Sequence, residues 1–60
     1  MTLNEAAAAI GAGVVYRPVH GAAEDGVIVR TNERWVFVRY GVQDGAKATD
    51  AGDLQLLFGQ

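Results

Sequence analysis

Asp25-Gly26-Val27-Ile28-Val29-Arg30-Thr31-Asn32-Glu33-Arg34-Trp35-Val36-Phe37-Val38-Arg39-Tyr40 reads as a β-hairpin. Two runs rich in β-branched and aromatic residues flank the polar break Thr31-Asn32-Glu33-Arg34. A connection of two or four residues centred on Asn32-Glu33 pairs Val29 with Val36, Ile28 with Phe37 and Val27 with Val38. Strand side chains alternate between faces. This register therefore gathers Val27, Val29, Val36, Val38 and Tyr40 on one apolar face, the expected core. The other face carries Ile28, Arg30, Trp35, Phe37 and Arg39. Asn-Glu suits a type I′ turn poorly, because Glu disfavours positive φ, so a four-residue loop fits as well as a two-residue one.

Sixty residues make one domain, 1–60, and a chain so short buries only roughly 60% of its unfolded surface. It has no cysteine, so no disulfide or thiolate metal site can staple it, and oligomerisation is the remaining common staple. Half of the residues are hydrophobic and a fifth are charged, the balance of a globular protein. The net charge of −2 argues against duplex nucleic acid, whose binding rests on neutralising phosphates. A local basic patch stays open, because Arg30, Arg34 and Arg39 all lie in the hairpin. No apolar run reaches the ~18 residues of a membrane span, and the N-terminus lacks the basic start of a signal peptide. The expectation is a cytoplasmic protein with no membrane partner.

Outside the hairpin, residues 2–10 read as a helix. Thr2 and Glu5 match a capping box, and Leu3, Ala6, Ala7 and Ile10 fall on one face. Gly11 sits where a left-handed cap is expected. Gly13 to Pro18 reads as the first strand, Val19 to Asp25 as a loop and Gly41 to Gly45 as a turn. Ala46 to Thr49 forms a short fourth strand, residues 49–53 a single 3₁₀ turn, and Leu54 to Phe58 a fifth strand. The expected fold is mainly β: a five-stranded small barrel over 13–58 with a short N-terminal α-helix.

With those elements in place, the chain resembles the SH3-like barrels of the Tudor and KOW type. The resemblance rests on Gly13-Val14-Val15-Tyr16, Gly26-Val27-Ile28-Val29, Val36-Phe37-Val38-Arg39-Tyr40 and Asp53-Leu54-Gln55-Leu56-Leu57. The same pattern is similar to short proteins of phage and prophage origin. The resemblance implies a binding or assembly module, although fold alone does not set function. One SH3-like group is enzymatic: the short plasmid-borne dihydrofolate reductases, tetramers around one pore with a Val-Gln-x-Tyr signature. An ungapped match from Leu54 sets Ala46, Lys47, Ala48 and Thr49 on those positions, so the motif is not kept.

Other chemistry finds few carriers. His20, Glu24 and Asp25 share a loop but fall short of a metal site's convergent ligands. The chain lacks both serine and cysteine nucleophiles. Gly11-Ala12-Gly13 precedes a strand, not a helix that could hold an anion. No catalytic residue, metal or cofactor is therefore expected. An aromatic cage for a cation would need two to four converging rings. Tyr16, Trp35, Phe37, Tyr40 and Phe58 supply the number, with the inward reading of Tyr40 against it.

What remains is the aromatic and arginine face. Trp35, Phe37 and Arg39 are the expected contacts, flanked by Arg30, Arg34 and Ile28. Trp, Tyr and Arg are common interface hot spots. The sequence thus favours a non-enzymatic module that binds a protein or a second copy of itself. Single-stranded nucleic acid, stacked on the same aromatics, is the alternative. The competing structural role is cover by the N-terminal helix, with Leu3, Ala6, Ala7 and Ile10 over Ile28 and Phe37.

Overall fold

The computed structural model describes residues 1–42 and 44–57. The chain is mainly β. Helix α1 (Leu3–Ala7) precedes strands β1 (Gly13–Tyr16), β2 (Glu24–Thr31), β3 (Val36–Tyr40) and β4 (Lys47–Thr49). A 3₁₀ turn (Ala51–Asp53) then leads into β5 (Leu54–Leu56). The strands form one antiparallel sheet in the order β4-β3-β2-β1-β5. Its two edges, β4 and β5, are joined in sequence by the 3₁₀ turn but are not paired with each other among the described residues. The sheet is therefore open rather than closed into a barrel. Strands β1 and β5 are shorter than expected, and Phe58 lies outside the described residues.

The helix begins as anticipated. The Thr2 hydroxyl accepts from Glu5 N–H at 3.1 Å, and the Glu5 carboxylate accepts from Thr2 N–H at 2.8 Å. It ends three residues early, because the bonding tightens. Ala8 N–H still reaches back four residues to Asn4, but Ala9 and Ala12 donate three residues back, to Ala6 and Ala9. Gly11, at φ +92°, then turns the chain so that its N–H meets the Ile28 carbonyl at 2.8 Å. The tightened turn also changes the apolar face. Ala6 is fully buried and Leu3 and Ala9 pack against the core, whereas Ala7 and Ile10 are exposed.

The central hairpin forms, with a different register. Gly26 faces Tyr40, Val27 faces Arg39 and Ile28 faces Val38. After an irregularity at Val29, Arg30 faces Phe37 and Thr31 faces Val36. Two local features account for this. Gly26 lies beneath Tyr40 and Val38, where any larger residue would collide. A Cβ there would sit 2.5 Å from Val38 Cγ1 and 3.0 Å from Tyr40 Cδ1. At the other end, Asn32 Oδ1 accepts from both Arg34 N–H (2.8 Å) and Trp35 N–H (2.6 Å), and Asn32 N–H donates to the Trp35 carbonyl. This side-chain-supported turn closes a four-residue loop. The two ends are out of phase by one residue, and a β-bulge at Val29 absorbs the difference.

The shift reverses the faces of β2. Ile28, expected on the arginine face, is 1% exposed and is among the largest fully buried side chains. Val27 is half-buried and Val29 is exposed, so neither belongs to the core. The faces of β3 hold: Val36, Val38 and Tyr40 turn inward. With Ala6, Val14, Ala51 and Leu54 they enclose Ile28. Burying such an isoleucine contributes about 1.5–3 kcal/mol, a large share of what 60 residues can hold. Helix α1 packs on β2 and β3 from this inner side.

Candidate interaction cleft

The register decides where each expected contact residue goes. Phe37 stays on the outer face, half-buried, with the Arg30 guanidinium 4.3 Å from its ring centroid. That stack is worth about 0.5–1 kcal/mol at an exposed site. It also occupies one face of the ring. Arg39 is exposed on the same side, beside Val27 and Gly41 in a shallow depression of about 290 Å³. Arg34 is exposed in the hairpin loop. Ile28 is removed from any surface by its burial, and helix α1 lies on the opposite face, so it does not cover the Arg30–Phe37 pair.

Trp35 departs from this group. It precedes β3 within the Asn32 turn and is 39% exposed. It lines a cleft of about 390 Å³ shared with Tyr16, Tyr40, Glu24, Asp53 and the chain from Lys47 to Asp50. The cleft opens along edge strand β4. Three of the five candidate aromatics thus come together, and Phe37 does not join them.

The walls are built by local rules. Tyr16 closes β1, opposite Leu54 on β5 and Glu24 on β2. Tyr40 closes β3, opposite Gly26. On the strand between the two tyrosines, Gly26 offers no side chain to keep them apart, and their rings lie 6.0 Å between centroids at 58°. Tyr40 Oη and Thr49 Oγ1 are 2.8 Å apart and buried. The Thr49 hydroxyl donates to the Lys47 carbonyl at 3.3 Å, which leaves Tyr40 as donor in the shorter bond. Burial pushes the Tyr40 phenol above its ordinary 10.0. Nearby Tyr16 and Glu24 reinforce that shift. Asp50 Oδ1 accepts from Gly52 N–H at 2.9 Å and so caps the 3₁₀ turn that carries Asp53.

The lining holds three carboxylates, Glu24, Asp50 and Asp53, against one ammonium, Lys47. Among the described residues no three of the His, Asp and Glu side chains converge as metal ligands. A side chain entering the cleft would meet aromatic residues and carboxylates together. Thr49 and Asp53 are the contributors that sequence reasoning left out, and Glu24 enters it only beside His20 and Asp25. The count of aromatics included Tyr16 and Tyr40, but their meeting depends on the Gly26–Tyr40 register.

Comparison of the chain with protein-family models, with curated proteins and with solved structures returned no match. Among the described residues no helix is long and apolar enough to cross a membrane.

Proposed function

We propose that this chain is a non-enzymatic, SH3-like interaction module that binds a protein partner through the Tyr16–Trp35–Tyr40 cleft. One observation carries the reading: a solvent-accessible tryptophan and two tyrosines line a single cleft beside a sheet edge. A partly exposed tryptophan set in a cleft is the kind of residue interfaces use as an anchor. Five short antiparallel strands with a 3₁₀ turn before the last support the SH3-like part of the proposal. The mobile-element origin implied by the sequence pattern is part of the proposal too.

The nucleic-acid alternative has less support. Arg30 already covers a face of Phe37, and the tryptophan meant to stack beside it lies among carboxylates. Self-association remains an outcome to be measured.

A random peptide library displayed on phage tests the proposal against the intact domain. Binders are expected that are lost on Trp35→Ala, while that variant keeps dispersed amide NMR signals and its strand content. A library that returns no binder, or binders indifferent to Trp35→Ala, would refute it. Sedimentation of the domain alone would reveal self-association, expected to be absent at micromolar concentration.

A further inference from the structure

We infer that the cleft takes an extended peptide that adds to the sheet along the outer edge of β4 and places a basic side chain among Glu24, Asp53 and the tyrosines. This rests on the binding-module reading and adds the form and charge of the ligand. The first support is position. Among the described residues strand β4 pairs only with β3, and every residue from Lys47 to Asp50 lines the cleft, so a ligand filling it lies alongside that edge. In an antiparallel ladder alternate residues direct N–H and C=O to the same side. Either Ala48, or both Lys47 and Thr49, therefore present those groups away from β3. Such an edge is a template for an incoming strand. The incoming strand would occupy the opening between β4 and β5, which are not paired with each other among the described residues.

The second support is charge. Three carboxylates face one ammonium along the cleft, and the whole chain is acidic at −2. Aromatic faces attract a cation as well, most strongly when it is partly desolvated. A basic side chain satisfies both features. A second copy of this chain, joined β4 to β4, would bring the same carboxylates face to face and is disfavoured. Three residues of edge offer few backbone bonds, so the basic anchor has to supply much of the affinity.

Trp35 is the only tryptophan and lines the cleft, so its emission reports occupancy. The probe is the blocked peptide Thr-Val-Thr-Arg-Thr-Val-Thr. Its controls are the same peptide with central Gln, and two versions N-methylated on alternate amides along one edge or the other. The Arg peptide is expected to shift Trp35 emission on titration. The Gln peptide and one N-methylated version should each bind about tenfold more weakly. The Glu24→Gln/Asp53→Asn variant should lose the preference for Arg over Gln with its melting temperature kept within a few degrees. Equal binding of the Arg and Gln peptides would overturn the charge assignment. Equal binding of both N-methylated versions would overturn strand addition. No binding by any of these peptides would overturn the inference, while library binders sensitive to Trp35→Ala would leave the module reading standing.

Discussion

Replacing Gly26 with alanine is the sharpest test of the hairpin register, because the glycine has a job only if it faces Tyr40. The added Cβ would lie 2.5 Å from Val38 Cγ1, 2.9 Å from the Arg39 carbonyl oxygen and 3.0 Å from Tyr40 Cδ1. None of these neighbours yields easily. Val38 is fully buried, Tyr40 is held by Thr49, and the carbonyl is backbone in the middle of the sheet. Overpacking of this kind costs about 1–3 kcal/mol, and a backbone atom among the clashes favours the upper end. A domain of 60 residues has only ~3–9 kcal/mol to lose. A loss of about 2–3 kcal/mol would lower Tm by roughly 10–20 °C. Calorimetry or thermal circular dichroism measures the shift. Gly45→Ala is the control, since a Cβ at Gly45 meets nothing within 4 Å and its φ is not positive. Its Tm should stay level or rise slightly. A Gly26→Ala protein that melts with the parent would refute the Gly26–Tyr40 pairing, and with it the inward placement of Ile28.

Thr49→Val leaves the buried Tyr40 hydroxyl without its partner and should cost about 1–3 kcal/mol in urea unfolding. Adding Tyr40→Phe should recover part of that loss, and a further additive loss would show that the two hydroxyls are not coupled. The raised Tyr40 phenol predicts an alkaline effect. As pH rises the unfolded chain ionises first, near the ordinary 10.0, so the folded state loses stability as pH climbs through the higher folded value. The urea midpoint should hold up to about pH 9 and decline above about pH 10, less steeply in Tyr40→Phe; identical curves would contradict the burial of Tyr40. Asn32→Ala removes the acceptor for two loop N–H groups and should cost about 1 kcal/mol while broadening the Trp35 indole resonance. A sharp, unshifted resonance would mean that the turn does not hold Trp35.

Much of the element order is legible from local signals that tertiary packing does not override. Thr2 and Glu5 mark the helix start, β-branched runs mark the strands, and Asp50 caps the 3₁₀ turn. The faces of β3 are legible too, because Val36, Val38 and Tyr40 alternate without interruption. The faces of β2 are not. Its run Val27-Ile28-Val29 is apolar at successive positions, so alternation alone cannot say which residues point inward. The deciding facts are the space beneath Tyr40 and the phase of the Asn32 turn, both of them properties of the folded hairpin. The candidate site shares that origin. Trp35 is conspicuous in the sequence, but its companions are set by the pairing. Phe37 and the arginines fall away from it, and Tyr16 and Glu24 approach from β1 and β2.

The bulge at Val29 has a consequence for how this hairpin tolerates changes in length. Loss of one residue from a strand ordinarily turns every later side chain to the wrong face. Here Ile28 faces Val38 and Arg30 faces Phe37, adjacent partners on β3, with Val29 carried outside the pairing. A chain lacking Val29 would join those two pairs into an unbroken ladder, with Ile28 and Thr31 still inward and Arg30 still beside Phe37. The hairpin thus contains one position where a single-residue deletion leaves the side-chain code of both halves intact. A gap there in a homologous sequence would mark a straighter hairpin, not a different fold.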